Sequence, residues 1–240
     1  KRLDNSNSKL VSKATMEGFR NDWSVKRDRP LPDQRFNIMI SRSGRLDNGA
    51  QLALISALNY SYSFQTNEDM MNSRYGVYNN VADQPEFIYK YTDNQYSIDA
   101  KLGGMLNLTY LKGSNKFELR NIFNQIGKNR YTYRTGWQNL SQKYEQEKSE
   151  YLYNSRTTYT GQFVGSHSPG AVQLDWGLGY SYAAMNQPDR RIINREQNQI
   201  VGDEHYGDMA IDQNEITRDF VELSEHAITP SLDIKFPLSL

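Results

Sequence analysis

The segment Tyr96–Tyr110 reads YSIDAKLGGMLNLTY, and its side chains alternate in character from one residue to the next. The even positions are apolar, aromatic or small, whereas the odd positions are mostly polar or charged. A period of two, sustained over these 15 residues, predicts a β-strand with one apolar and one polar face. An aromatic side chain closes the apolar face at each end, at Tyr96 and at Tyr110.

The same alternation recurs along the chain between tight-turn signals. Asp47-Asn48-Gly49, Gly113-Ser114-Asn115 and His167-Ser168-Pro169-Gly170 contain residues that suit the backbone of short turns. These turns predict hairpins, which long polar loops at about residues 65–95 and at Met185–Asp219 join on the other side. We predict about seven long antiparallel strands in all: Phe36–Leu46, Gln51–Phe64, Tyr96–Tyr110, Phe117–Tyr133, Tyr151–Phe163, Val172–Tyr182 and Ile228–Leu240.

The composition excludes several classes of protein. The 240 residues include 17 Tyr but only 37% hydrophobic residues, too few for a helical or doubly wound domain of this length. Lys+Arg and Asp+Glu are balanced at 28 each, so no nucleic-acid partner is predicted. Cys is absent, which excludes disulfides and thiol chemistry. No apolar run is long enough for a membrane helix, but a membrane β-strand needs only about 9–11 residues.

Three features favour a membrane barrel over a soluble sheet. Most of the predicted strands exceed 10 residues, whereas soluble strands usually have about 5–6. Tyrosines gather at strand ends next to the long loops, as in an interfacial aromatic girdle. Short and long connections alternate, as periplasmic turns and extracellular loops do. We therefore predict an all-β fold, with a transmembrane β-barrel segment at residues 35–240 and a loop or irregular entry segment at residues 1–34.

The predicted number of strands limits what the segment can form alone. With about seven strands, the first and the last run in the same direction, and bacterial single-chain barrels have even strand numbers. The segment is therefore predicted to be part of a larger barrel in the cell outer membrane, in contact with outer-membrane lipid. A soluble all-β carbohydrate-binding protein is an alternative, because Tyr-rich alternation also occurs in soluble sheets.

Two stretches resemble a known family. Asn121–Gly136 (NIFNQIGKNRYTYRTG) resembles a barrel segment of TonB-dependent outer-membrane transporters and is most similar to the SusC/RagA-like group and its relatives. Gly18–Ser24 (GFRNDWS), with Leu31–Gln34 (LPDQ) before a strand, is similar to that group too. The resemblance implies a plugged barrel of about 22 strands. It also implies energy coupling to TonB through an N-terminal region outside this sequence.

The function that the resemblance implies is import of a large nutrient such as a glycan or a peptide. A surface lipoprotein lid is the further partner that it implies. A passive porin or a barrel-anchored structural protein is the alternative among membrane proteins. A plug and a TonB box upstream in the complete gene would distinguish these readings.

Charged residues on the predicted inner face are candidates for contact with a substrate or a plug. Facing lipid, each would cost a few kcal/mol near the midplane, so we place them in the lumen: Asp99, Lys101, Arg120, Arg130, Arg134 and Asp175. Trp137 and Tyr144, expected beside an outer loop, are candidates for stacking on a sugar ring.

No catalytic, cofactor or metal site is predicted, and the protein is not expected to be an enzyme. The 3 His residues lack metal-ligand spacing. Ser166 and His167 cannot form a dyad, because adjacent strand residues point to opposite faces. The acidic segment Asp203–Asp219 has two open interpretations, a Ca²⁺ site or a solvated loop.

Overall fold

The computed structural model describes residues 23–27, 29–139, 142–212 and 214–237. The chain divides into two compact units, Lys1–Leu31 and Pro32–Leu240. The described secondary structure lies in the second unit: β1 (Gln34–Arg45), β2 (Gln51–Asn79), β3 (Gln84–Lys112), β4 (Asn115–Asn139), β5 (Lys143–His167), β6 (Gln173–Gln197), β7 (Met209–Ile211) and β8 (Thr217–Lys235). The described residues contain no helix that is long and apolar enough to cross a membrane.

Some predictions fall on residues that the structure does not describe. Gly18–Asp22, most of the entry segment at residues 1–34, and the end of the last predicted strand at Leu238–Leu240 lie outside the described residues. The first strand begins at Gln34, so the predicted boundary between entry segment and strand differs by one residue.

The strands form one antiparallel sheet, which confirms the predicted all-β antiparallel fold. From β1 to β6 the order across the sheet follows the order along the chain, and β7 and β8 both pair with β6. The seven long strands match the predicted number, and the 3-residue β7 raises the total to eight. Within the described residues the sheet is open, with β1 and β8 at its two edges running in the same direction.

Short turns join the strands at one end, here called the lower end. Gly49 and Gly113 adopt φ values of +78° and +57°, which favour glycine, at the predicted turns. The Asn48 Oδ1 atom accepts a hydrogen bond of 3.0 Å from the Ala50 amide and tightens the first turn. The third turn was predicted to include His167, but His167 is the last residue of β5 and residues 168–172 form the connection.

The predicted loop at about residues 65–95 is wrong. Both neighbouring strands continue into it, so only residues 80–83 connect β2 to β3. Three register shifts interrupt this extension between Asn67 and Tyr78. Backbone hydrogen bonds hold the ladder whatever the side chains are. Both faces are polar here and each bulge changes the parity, so the alternation that marks a strand in the sequence disappears.

The other strands are also longer than predicted. β4 continues to Asn139 and β5 begins at Lys143, where a longer connection was expected. β6 extends to Gln197 and β8 begins at Thr217, so the predicted loop Met185–Asp219 is strand at both of its ends. The end of the sheet that carries these extensions is here called the upper end.

The cross-strand register separates the residues into two faces. The even positions of β3 from Tyr96 to Tyr110 share one face with the apolar residues of the other long strands; we name it the apolar face and its opposite the polar face. Because the sheet is a single layer, Ala50 and Tyr91 are the only buried hydrophobic residues among those described. Large apolar side chains stay exposed instead, for example Leu106 at 46% and Leu178 at 52%.

Gly136 of β4 offers a test of the extended ladder between β3 and β4. It adopts a φ of +150°, and a Cβ atom there would overlap the carbonyl oxygen of Lys90. We expect Gly136→Ala to destabilise the protein by about 2 kcal/mol or more, because backbone strain and steric overlap add. Gly104→Ala is the matched control, since a Cβ there meets nothing within 4 Å. Thermal unfolding of the purified full-length variants measures both; equal stability would contradict this pairing.

Candidate binding surface on the polar face

The structure places all six predicted charged candidates on the polar face. Asp99 and Lys101 lie on odd positions of β3, and Arg120, Arg130 and Arg134 lie on even positions of β4, which the register aligns with them. Asp175 of β6 reaches the same face through β5. The two-residue period of the sequence was therefore sufficient to assign the face. It did not reveal which charges pair.

Asp93, on the upper part of β3, is the best buried carboxylate of this surface at 8% exposure. The Arg134 guanidinium donates two hydrogen bonds to it, of 2.7 and 2.8 Å, and the Asn72 amide donates a third of 3.3 Å. Burial alone would raise the pKa of Asp93, but the hydrogen bonds from Arg134 and Asn72 outweigh burial and hold its pKa below the ordinary value. The hydrogen bond to Asp93 in turn raises the pKa of Arg134.

A second group of charges crosses four strands. Glu150 of β5 accepts hydrogen bonds from Arg130 of β4, at 3.2 Å, and from Arg190 of β6. Arg190 also donates to Asp219 of β8, at 3.2 Å. The hydrogen bond to Glu150 is the main cause that raises the pKa of Arg190. These two cations are therefore neutralised by neighbouring carboxylates rather than offered to a charged ligand.

Uncharged polar groups and one carboxylate form a cluster beside these pairs. The Tyr91 hydroxyl donates to Gln146 at 2.9 Å, and the Gln146 and Asn194 amides donate to Glu196 at 2.8 and 3.2 Å. The Tyr144 hydroxyl lies 3.4 Å from the same carboxylate. Burial, together with the Glu196 charge, raises the pKa of Tyr144 to about 12. Its phenol therefore stays protonated and remains a hydrogen-bond donor.

The lower part of the polar face has weaker and more exposed pairs. Asp175 accepts hydrogen bonds from Ser166 at 2.6 Å and from Gln173 at 2.9 Å, and Lys235 lies 3.5 Å away. Arg120 pairs with Glu118 at 2.6 Å. Asp99 and Lys128 are 3.8 Å apart.

The two aromatic candidates do not form one site, which corrects the prediction that placed them together beside an outer loop. Both lie in strands, and the register pairs Trp137 with Glu145 and Gln138 with Tyr144. Because adjacent positions point to opposite faces, Tyr144 belongs to the polar face and Trp137 to the other. Trp137 meets Phe87 at 6.3 Å and the Lys143 ammonium at 4.4 Å between group centres.

Neither of the other candidate chemistries gains a site. Ser166 bonds to Asp175 on the polar face, whereas His167 accepts a hydrogen bond of 3.0 Å from the Trp176 indole on the apolar face. In the acidic segment, Asp203 and Asp208 bond to the backbone and ring of His205. The described residues contain no group of three or more His, Asp or Glu side chains placed to hold a metal ion.

Two rows of aromatic side chains border the apolar face. At the upper end Tyr96, Tyr131 and Tyr151 follow one another across three strands, with ring centres 6.3 and 5.0 Å apart. The sequence predicted aromatics at this end. The lower row was seen only at its first member, and it comprises Tyr110, Phe117, Phe163 and Trp176, in contact at 5.2–6.4 Å. Its members come from four strands, so only the register assembles it.

No protein-family model, curated protein or solved structure matches this chain. The family suggested by Asn121–Gly136 therefore stays a prediction. That stretch lies within β4, whose pairing with β3 and β5 is continuous.

The Asp93–Arg134 pair gives a pH-dependent prediction. Because the folded-state pKa of Asp93 is lowered, its contribution to stability is present above the ordinary carboxyl pKa of about 3.9 and is lost as the pH falls through the lowered value. We expect Asp93→Asn to cost about 2–4 kcal/mol at neutral pH, since it leaves Arg134 without its carboxylate. The difference from the unmodified protein should shrink below about pH 4.

Denaturant unfolding of the purified full-length protein at neutral and acid pH measures this effect. Asp99→Asn is the control, because its pair with the 42%-exposed Lys128 is long and should contribute less than about 1 kcal/mol. An equal loss for the two variants, or a loss for Asp93→Asn that does not depend on pH, would contradict the assignment.

Proposed function

We propose that this sheet is a segment of an outer-membrane β-barrel, with its apolar face against lipid, and that the barrel is a TonB-dependent importer. The observation that carries the membrane assignment is the uncovered apolar face between two aromatic rows. Between these rows, in the described strands β2 to β6, this face carries no Asp, Glu, Lys or Arg. The polar face of the same stretch carries nine: Asp99, Lys101, Lys116, Glu118, Arg120, Lys128, Arg130, Arg156 and Asp175.

The direction of the apolar band supports the same proposal. The apolar run of β1 is centred on Ile38, which lies in one register row with His226 of β8, whereas the run of β8 is centred on Leu232, in the row of Gly44. The band thus shifts by the 6 residues from Ile38 to Gly44 across the sheet. That is about 20 Å along the strands against about 29 Å across them, an angle of about 35°. Strands of membrane barrels are tilted by about 35–45°.

The spacing of the aromatic rows also fits a bilayer. Tyr96 and Tyr110 are 14 residues apart on β3. At the tilt given above this is about 38 Å along the membrane normal, which places both rows at the borders of an apolar core of about 25–30 Å. β2, with its 29 residues, is far longer than a bilayer needs. Its upper part, like that of β3, would stand outside as a hairpin.

The polar residues on the apolar face are paired with one another, as a lipid environment requires. The Asn121 amide donates to the Leu106 carbonyl at 3.2 Å and its oxygen accepts from the Tyr159 hydroxyl at 2.7 Å. The Thr157 hydroxyl donates to Gln125 at 2.6 Å. These polar side chains therefore need no water on that face.

The importer assignment rests on the resemblance of Asn121–Gly136 and on the polar face. Lower turns would lie in the periplasm and the extended hairpins outside, with the polar face lining the lumen. A large nutrient such as a glycan or a peptide is the proposed cargo. TonB, reached through an N-terminal region of the complete protein, and a surface lipoprotein lid are the proposed partners.

Leu106 and Thr109 test the lipid-facing assignment as a matched pair on β3. Leu106 lies on the apolar face between the aromatic rows, and Thr109 lies on the polar face opposite Glu118. Leu106→Arg should impair assembly by about 2–4 kcal/mol, because the guanidinium would enter lipid, whereas Thr109→Arg gains a carboxylate neighbour. The yield of heat-resistant folded protein in outer membranes is the measurement. Equal yields for the two variants would exclude this orientation.

The transport assignment is tested separately in cells. Mixtures of oligosaccharides and oligopeptides are supplied to a strain that carries the complete gene and to its deletion strain, and depletion from the medium is followed. We expect the compounds that only the first strain depletes to be left untouched when TonB is deleted or the proton gradient is dissipated. Depletion that continues without TonB would instead assign a passive porin.

A further inference from the structure

Three cations of the polar face stand in one register row. Arg35 of β1, Lys101 of β3 and Arg156 of β5 are connected through Ser61 and Ile126 by successive cross-strand pairs. All three side chains are exposed. Since they occupy alternate strands, neighbouring cations are about 10 Å apart and the row is about 19 Å wide.

These cations differ from the others of the polar face. Lys128, Arg130 and Arg134 each have a carboxylate partner, Asp99, Glu150 and Asp93 respectively. Arg35, Lys101 and Arg156 have no hydrogen bond or ion pair to any described residue. Their positive charge is therefore available to a group outside the sheet.

An apolar patch adjoins the row on the same face. Met39, Ile55, Ile122 and Ile126 are exposed at 70, 39, 51 and 39%. Met39 and Ile122 are joined in register through Ala57 and Met105, two rows below the cations, and Ile126 stands between Lys101 and Arg156. In a water-filled lumen this patch would be left exposed at a hydrophobic cost.

We propose that this surface, here called the cation–apolar surface, docks a folded protein domain that presents carboxylates beside apolar side chains. The inference rests on the proposed function, in which the polar face lines the lumen and the docked domain stands inside the barrel. The width of the surface fits a protein better than a small ligand. Two shallow cavities on this face lie elsewhere, along β4, β5, β6 and β8, and neither is lined by any of the three cations.

Charge complementarity selects the acidic occupant. A basic partner would meet three uncompensated cations, and like charges across an interface oppose binding. An uncharged apolar partner would cover the patch but leave the cations dehydrated and unpaired. A surface with carboxylates about 10 Å apart above apolar side chains satisfies both halves of the cation–apolar surface.

Site-specific photocrosslinking in the complete protein in its native membrane tests this docking. A photoreactive side chain is placed at Ile126, and crosslinked peptides are identified by mass spectrometry. We expect a crosslink to an acid-rich polypeptide segment, with a yield that drops about tenfold in the double variant Lys101→Glu/Arg156→Glu. Arg74→Glu is the control, since Arg74 is an exposed cation in the upper part of β2, and should leave the yield unchanged.

Each other outcome overturns the inference. No polypeptide crosslink from Ile126 would show that nothing docks there, and an undiminished crosslink in the double variant would exclude the role of charge. A crosslink to lipid would show that the polar face is the outer one. Failure of the proposed function is seen independently, because the unmodified protein would then be missing from the outer-membrane fraction.

Discussion

The continuous antiparallel ladder is the constraint on which the rest of the structure depends. It fixes a side-chain period of two, so every long strand must divide its residues between two faces. A single layer has no second layer to cover either face, and the described residues accordingly bury almost no apolar side chains. The stability of the sheet must therefore come from its backbone pairing and from whatever covers the apolar face. A bilayer covers such a face without a second protein layer.

The register is what turns separate strands into surfaces. The lower aromatic row draws on β3, β4, β5 and β6, and the row of unpaired cations draws on β1, β3 and β5. Neither set is contiguous in the sequence. A slip of one residue in any pair would send a strand's apolar set to the polar face. The short turns around Gly49 and Gly113 therefore determine chemistry far from themselves, because they fix the register of each hairpin.

The sequence predicts those features that depend on one strand at a time. The alternation in Tyr96–Tyr110 gave the faces correctly, and the turn residues gave the hairpins. It failed where both faces are polar, as in the upper parts of β2 and β3, since polarity there no longer reports on pairing. It could not show that Asp93 meets Arg134, 41 positions away, because that contact depends on bulges and register. The separation of Trp137 from Tyr144 was missed because their strands extend into a region that looked like loop.

The edges of the sheet impose a condition that covering its faces cannot meet. β1 and β8 each have one side that no described strand pairs, and a strand edge left unpaired in lipid costs several kcal/mol per polar group. In the proposed barrel these edges must therefore pair with further strands. Because β1 and β8 run in the same direction, antiparallel closure requires an odd number of additional strands, which makes the total even. Copies of this sheet arranged as a ring in one membrane would not satisfy that condition, since each junction would place β8 beside a parallel β1. The apolar face and the strand direction thus lead to the same conclusion by independent routes, that this sheet is one wall of a larger cylinder.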